Sequence, residues 1–253
     1  MGLWTLTHLY TVIPAFIAFF IIGVLMSWAL KNKSERIKYI PLQVIAVLLF
    51  GLEIGKQIVS FEGGYDLYSL PFHYCSLFLY LLPIHAFYHG RFKAQIGAVT
   101  FACLSSLFFF MLVMPAIVYG EAAILNMRSS YMDVHTVVFH NLVCLYFVLT
   151  LSLKLYEMRV KRDLILMASF LGVYVIIAAI LSNTLEVNFH NLYRCNIALV
   201  EDLRAAVVAS IGWLGQLIYN VIMFVLTIIF AYAAYFFVMG ALALYRLIFR
   251  RIA

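Results

Sequence analysis

The sequence predicts an all-α fold: a polytopic membrane protein in which seven transmembrane helices form one bundle and one domain, residues 1–253. Two observations indicate this class, the composition and a series of long apolar stretches. The chain is 66% hydrophobic and only 11% charged, less than half the charged fraction of an ordinary soluble domain. Its mean hydropathy is +1.04. No linker-like or low-complexity run divides the chain, so a single membrane domain is the simplest organisation.

Seven apolar stretches account for the predicted helices. A single crossing needs ~20 residues, and stretches of about this length or longer lie at residues 9–30, 41–60, 70–88, 95–118, 134–153, 164–183 and 206–245. The first stretch is long for a signal-peptide core and no basic segment precedes it. We therefore expect it to be retained as a helix.

The last stretch needs separate treatment, because residues 206–245 contain no charge. A single helix of that length would be about 60 Å long, and two crossings would put the basic C-terminus on the side of the acidic loops. We therefore expect an interfacial or re-entrant piece at residues 211–216, followed by one span from about Leu217. The pattern leaves open whether residues 206–216 are re-entrant or part of the last helix.

The loops alternate in charge, and this alternation predicts the orientation. Thirteen of the 17 Lys and Arg residues lie in the loops 31–40, 89–94 and 154–163 or near the C-terminus, and three lie in the other loops. Positive loops favour the cytoplasmic side, so the N-terminus is predicted outside and the C-terminus inside. The basic charge is explained by anchoring to anionic lipid, and no nucleic acid is expected as a partner.

A polar set distributed over four predicted helices gives the best indication of function. An ionisable side chain inside a bilayer is costly, so a functional role is the default interpretation. All members fall in the outer half of the predicted bundle, and we expect converging helix faces to hide them from lipid. The set comprises Glu53, Lys56, Gln57, His73, Cys75, His135, His140, Asn141 and Asn183.

Cys75 and His140 are the candidate catalytic residues. Cys75 follows Pro71 at the start of a predicted helix, and a helix N-terminus favours the reactive thiolate. A nucleophilic cysteine also needs a base, and His140 lies at a matching depth. His73 is two residues from Cys75 and points to another side of the helix, so we expect it to bind substrate. His135 is expected at the rim of the site.

Glu53 and Lys56 lie three residues apart on one helical face, so an internal ion pair is one interpretation. The alternatives are that Lys56 binds the phosphate of a headgroup, or that Glu53 polarises a histidine. Asn141 or Asn183 would stabilise an oxyanion. The predicted substrate-binding set is therefore Glu53, Lys56, His73, His135, Asn141 and Asn183.

The sequence predicts neither a metal site nor a cofactor. The four cysteines show no CxxC or other metal-ligand spacing. No HxxxH pattern lies in the late stretches, which disfavours a zinc-dependent seven-helix hydrolase. A retinal protein is also disfavoured, because residues 206–245 offer no lysine for a Schiff base.

One segment carries a resemblance to a known family. Residues 70–77 read LPFHYCSL and resemble the LPxHxC signature that opens a span in the YwaF-like integral membrane proteins of bacteria. That family is similar to the eukaryotic TMEM-type transmembrane acyltransferases that act on ether phospholipids. Partial matches are residues 135–141, Asn183 and the Gly212-Trp213 turn. The resemblance implies a seven-helix bundle and acyl transfer through Cys75.

Two functions from different classes fit these observations. The first is a lipid acyltransferase or hydrolase of the cell membrane, with membrane phospholipid as substrate, in which Cys75 attacks an ester and His140 takes the thiol proton. The alternative is a non-enzymatic protein that binds or transports a lipid or small solute through the same polar set. The chain lacks the inverted repeat and broken helices expected of transporters.

Overall fold

The computed structural model describes residues 4–249, apart from the side chains at positions 246, 248 and 249. The described residues form ten α-helices, and three of the connections between them contain short 3₁₀ turns. These turns are Leu67–Ser69, Tyr74–Ser76, Asn126–Arg128 and Phe189–Asn191. The helices are α1 (Leu6–Ala29), α2 (Glu35–Glu62), α3 (Leu77–Phe87), α4 (Lys93–Val113), α5 (Pro115–Val118), α6 (Glu121–Leu125), α7 (Tyr131–Ser152), α8 (Val160–Leu185), α9 (Ala198–Ile211) and α10 (Trp213–Phe249). The described part of the chain is all-α, as predicted.

Six of these helices are long and apolar enough to cross a membrane, namely α1, α2, α4, α7, α8 and α10. The predicted span at residues 70–88 behaves differently. Its apolar helical part, Tyr74–Phe87, is shorter than the other six, and regular α-helix begins only at Leu77. Pro71 explains only the first residue of this irregular segment, because it is the residue before a proline that is pushed out of the α region. Leu70 accordingly has φ −58° and ψ 138°.

The chain alternates between two ends of the bundle. At one end, the Lys93 ammonium lies 2.7 Å from the Glu35 carboxylate, so the starts of α2 and α4 meet. At the other end, His135 of α7 contacts Glu53 of α2, and the start of α1 contacts Tyr119. The loops at 30–34, 88–92 and 153–159 therefore share one end, here called the basic end. This is the alternation that the charges predict, although Arg250 and Arg251 lie outside the described residues.

The core is built around α7 and α4. Helix α7 packs against α1, α2 and α4, while α4 also packs against α8 and α10. Aromatic rings fill the seam: the centroid of Phe147 lies 5.2 Å from that of Phe101 and 4.8 Å from that of Phe108. Phe16 of α1 extends the cluster, with its centroid 5.1 Å from Phe108. These contacts bury the facing sides of α4 and α7. They also fix the rotation of α7, which carries His135 and His140.

The last apolar stretch breaks earlier than predicted. The expected boundary near Leu217 is wrong, because the chain turns at Gly212 and α10 begins at Trp213. Gly212 has φ +62°, a backbone conformation that costs glycine little. Helix α9 precedes the turn, has no buried residue and packs against α10. A Cβ atom on Gly215 would lie 2.9 Å from the Val207 carbonyl oxygen, so Gly215 permits this close approach.

A buried carboxylate anchors α8 and α10 at the basic end. Asp163 is fully buried and accepts hydrogen bonds from the Arg159 amide at 2.8 Å, from the Arg162 guanidinium at 3.0 Å and from the Tyr235 hydroxyl at 2.8 Å. A buried charge with this many partners is tolerated in a low-dielectric interior. The residue therefore ties the loop 153–159 and α10 to the start of α8.

Replacing Gly23 by valine should destabilise the packing of α1 on α7. A Cβ atom at position 23 would lie 2.6 Å from the Ser152 hydroxyl oxygen and 3.0 Å from a methyl group of Val148, and overpacking of this kind costs about 1–3 kcal/mol. We expect Gly23→Val to lower the thermal unfolding temperature in detergent. Gly51→Val is the matched control, because a Cβ atom there meets nothing within 4 Å. Equal losses in the two variants would contradict the close packing.

Candidate functional site

The segment that holds Cys75 lies at the end of the bundle opposite the basic end, between α4, α7 and α8. The Tyr174 hydroxyl donates to the Phe72 carbonyl oxygen at 3.0 Å, and the Tyr74 hydroxyl donates to that of Cys103 at 3.4 Å. The Cys75 thiol is half-buried. It is close enough to Tyr174 of α8 and to Cys144 of α7 to interact with them electrostatically. Cys75 thus faces the interior of the bundle.

The loop between α8 and α9 covers this segment. Phe189 is fully buried, and its ring contacts those of Phe72 and His73, with centroids 5.9 and 5.2 Å away. His190 stacks on Tyr74 at 5.6 Å and hydrogen-bonds the Thr227 hydroxyl at 2.8 Å. Burial lowers the pKa of His190 to about 4, so its ring is neutral at physiological pH. This loop was not predicted to be part of the site. The apolar Phe189 in it was the signal that could have indicated a buried position.

His140 presents an unused hydrogen-bond acceptor. Its Nδ1 lies 2.6 Å from the Thr136 carbonyl oxygen, and since a carbonyl only accepts, Nδ1 carries the proton. In the neutral ring, Nε2 then carries the lone pair. Nε2 is buried and has no hydrogen-bond partner within the described chain. This tautomer is the one that a general base requires.

Cys75 and His140 form no hydrogen bond. Cys144 lies one helical turn from His140 on α7 and within electrostatic range of Cys75, so Cys75 and His140 lie in the same region of the bundle. The unpartnered state of His140 Nε2 shows that the thiol is beyond hydrogen-bonding distance. Catalytic pairs are often loose without substrate, so the catalytic assignment of both residues stays a prediction.

Asn141 belongs to a second cluster that the sequence did not reveal. Its amide nitrogen donates to the Val137 carbonyl at 2.8 Å and to the Tyr119 hydroxyl at 3.4 Å, while its Oδ1 is buried without a partner. The fully buried His8 of α1 donates from Nε2 to the Tyr119 carbonyl oxygen at 3.1 Å. Because both N–H groups of Asn141 already face protein oxygens, Asn141 offers an acceptor rather than the expected oxyanion donor.

Glu53 forms the hub of a buried polar network. Its carboxylate lies 2.7 Å from the Lys56 ammonium and 3.1 Å from Nε2 of His135. It also accepts a hydrogen bond from Gln57 at 2.7 Å. Gln57 in turn donates to the Ser69 carbonyl oxygen at 2.9 Å. His135 is buried in this network, not at the rim, and the internal ion pair considered for Glu53 and Lys56 is present.

His73 lies beside that network. Its Nε2 donates to the Tyr68 carbonyl oxygen at 3.0 Å, and its ring packs on the Tyr68 ring, with centroids 4.3 Å apart. The Lys56 ammonium of the network lies within electrostatic range of this ring.

Asn183 is separate from the other members of the predicted set. Its amide nitrogen donates to the Ala179 carbonyl at 2.7 Å, and its side chain lines an apolar groove of about 540 Å³ between α8 and α10. Trp213 and Phe224 of α10 line the same groove. The predicted convergence of all four helices on one site is therefore incomplete: Glu53, Lys56 and His135 lie together, Asn141 belongs to the cluster around Tyr119, and α8 turns Asn183 toward α10.

In the part of the chain that the structure describes, no three His, Cys, Asp or Glu side chains are grouped so that they could hold a metal ion. The four cysteines are all free.

Removing the Glu53 carboxylate should destabilise the protein strongly. Glu53→Gln leaves the buried Lys56 ammonium without its counter-charge, and breaking a buried ion pair costs about 3–5 kcal/mol. We expect a large drop in the thermal unfolding temperature in detergent. Glu53→Gln combined with Lys56→Met should recover much of the loss, because no charge is then left unpaired. Glu62→Gln, an exposed change on the same helix, is the control; a similar drop there would refute the network's role.

The comparisons with known proteins give one result. Residues 3–235 match the model of the TMEM164 family. No curated protein and no solved structure gave a match. Together with the six apolar helices, this match identifies a multi-pass membrane protein. The matched region covers nearly the whole chain, and the chain therefore belongs to the TMEM164 family.

Proposed function

We propose that this protein transfers or hydrolyses an acyl group of a membrane phospholipid, with Cys75 as nucleophile and His140 as general base. The main support is the state of His140. Its Nδ1 is hydrogen-bonded to the Thr136 carbonyl oxygen, and its Nε2 is a buried acceptor without a partner in the described chain. Cys144, one helical turn away, lies within electrostatic range of Cys75. The similarity of residues 70–77 to the YwaF-like proteins and the TMEM-type acyltransferases favours the same chemistry.

The proposed reaction has two steps. In the first, His140 Nε2 takes the proton of the Cys75 thiol as the sulfur attacks the ester carbonyl carbon. The C–O bond to the glycerol breaks, the alkoxide leaving group takes the proton from His140, and a thioester on Cys75 results. In the second step, His140 takes a proton from a lysolipid hydroxyl or from water, whose oxygen attacks the thioester. The thiolate leaves and recovers its proton, so no oxidant or reductant is needed.

Lys56 and His73 are the proposed contacts for the lipid phosphate. The Lys56 ammonium has three N–H donors, and the described contacts use one carboxylate, that of Glu53. His73 lies within electrostatic range of the same ammonium. The Glu53 pair then holds Lys56 in position, while Glu53 and His135 join α2 to α7. In this scheme Asn141 accepts a hydrogen bond through Oδ1. Asn183 contacts the lipid only if an acyl chain of the lipid enters the groove between α8 and α10.

The orientation completes the proposal. We count the short apolar helix Tyr74–Phe87 together with residues 70–73 as a seventh crossing, place the N-terminus outside and the C-terminus inside, and locate the protein in the cell membrane. The support is the position of the basic loops at one end of the bundle, which positive-inside asymmetry assigns to the cytoplasm. The Cys75 site then lies in the outer leaflet half.

Cysteine accessibility tests the orientation. In a Cys195→Ser background, Glu62→Cys should react with a membrane-impermeant maleimide on intact cells, because Glu62 is exposed at the end opposite the basic end. Lys33→Cys, exposed at the basic end, should react only after the membrane is disrupted. The background variant measures any labelling of the remaining cysteines. Labelling of both positions from the same side would rule out the proposed crossing number.

Substitution of Cys75 tests the chemistry. Cys75→Ser should abolish acyl exchange between a phospholipid and a lysophospholipid in mixed micelles, and His140→Ala should lower it by about 10²–10⁴-fold, the usual contribution of a general base. The two losses should not add in the double variant, because the residues act as one unit. Cys195→Ser, a half-buried cysteine outside the site, is the matched control and should keep full activity.

The same preparations distinguish an enzyme from a lipid carrier. Hydroxylamine should release an acyl group from the thioester of the wild-type protein, and it should release none from Cys75→Ser. Exchange that survives Cys75→Ser would refute the nucleophile. If no lipid is turned over, yet lipid binding persists in Cys75→Ser and weakens in Lys56→Ala, the protein is a carrier.

A further inference from the structure

A small polar pocket lies at the basic end, far along the bundle from Cys75. The first turns of α2 and the start of α4 form its walls, and its volume is about 280 Å³. Its lining is Glu35, Arg36, Tyr39, His89 and Lys93. None of these residues takes part in the proposed acyl transfer, so the pocket raises a separate question of what it holds.

The pocket offers more hydrogen-bond donors than its own residues use. Lys93 lies 2.7 Å from the Glu35 carboxylate and 4.6 Å from the centre of the Tyr39 ring. Arg36 has no hydrogen bond or ion pair to any other residue that the structure describes. The His89 ring contacts the Tyr39 ring edge-on, with centroids 5.9 Å apart, and its nitrogens stay free within the same part of the chain. Two cations and a histidine thus face one carboxylate, which Lys93 already neutralises.

The chemistry of these donors favours a phosphate. The planar guanidinium of arginine matches the oxygens of a phosphate in a two-pronged hydrogen bond, and lysine supplies a point charge beside it. A carboxylate ligand would meet the same donors, but a membrane supplies phosphate at this level in every phospholipid. Basic pockets between transmembrane helices on the cytoplasmic side are a known type of headgroup site.

The surroundings of the pocket favour a lipid over a free anion. The helix starts that form the pocket also expose apolar side chains: Ile37 and Ile40 of α2 and Phe92 before α4 are 39%, 50% and 47% exposed. A lipid would place its phosphate among the donors and its acyl chains along this surface. We infer that the pocket at the starts of α2 and α4 binds the phosphate of an anionic membrane lipid.

Lipid selectivity tests this inference on the purified protein. The affinity for spin-labelled phosphatidylglycerol would be measured in phosphatidylcholine nanodiscs for the wild type, Arg36→Gln and the double variant Arg36→Gln/Lys93→Gln. At about 1.5–3 kcal/mol for each hydrogen bond to a charged group, we expect a loss of at least about tenfold for the single and about 100-fold for the double variant. Arg36→Lys, which keeps the charge without the planar fork, should lose less than Arg36→Gln.

The matched control removes the same charge outside the pocket. Lys31→Gln/Lys33→Gln changes two exposed lysines in the neighbouring loop; it removes the same surface charge but no pocket donor, so it should lower the affinity clearly less than the pocket double variant. An equal loss in this control would overturn the site in favour of a diffuse electrostatic attraction. Equal affinity for spin-labelled phosphatidylcholine would overturn the selectivity, and displacement of the labelled lipid by inorganic phosphate would overturn the choice of a lipid as ligand. All variants lie at partly or fully exposed positions, and unchanged thermal unfolding would show that they fold.

Discussion

The candidate site is organised by the hydrogen bonds and ion pairs of one buried carboxylate, that of Glu53. Glu53 contacts three donors, on Lys56, Gln57 and His135, because an ionised group in a low-dielectric interior needs several partners to be tolerated. His135 joins α2 to α7, and Gln57 extends the network to the Ser69 carbonyl oxygen. The segment that leads into Cys75 is therefore attached to α2 at Ser69, two residues before Pro71, and this attachment helps to position the thiol.

The segment 70–73 and the covering loop then define the surroundings of Cys75. Because regular α-helix begins only at Leu77, residues 70–73 form an irregular segment with bends, and this segment leaves backbone carbonyls that side chains of other helices can bind. Tyr174 uses the Phe72 carbonyl in this way. The loop after α8 packs Phe189 and His190 over the same residues. Cys75 is half-buried next to this covered segment. It lies within electrostatic range of Tyr174 on α8 and Cys144 on α7.

Composition and charge predicted the helical membrane class, six of the spanning stretches and the grouping of the basic loops, because these depend on totals and on one-dimensional order. The faces of the helices were harder to predict. Nothing in the pattern around Asn183 indicates that α8 turns it toward α10, and the roles of His8, Tyr119 and His190 depend on tertiary contacts made over 37 or more positions in the chain.

Most buried polar side chains have hydrogen-bond partners, and four buried atoms of the described residues do not: Thr100 Oγ1, His140 Nε2, Asn141 Oδ1 and Asn220 Oδ1. Glu53, His135 and Asp163 have their partners, and they hold helices together. His140 Nε2 and Asn141 Oδ1 have none within the described residues, although a buried acceptor without a partner costs about 1–3 kcal/mol. They are consecutive residues of α7, which packs against α1, α2 and α4, so the core that positions α7 also sets where both acceptors lie. In the proposed reaction His140 Nε2 receives the Cys75 proton, and the packing of α7 holds that acceptor in place before the substrate arrives.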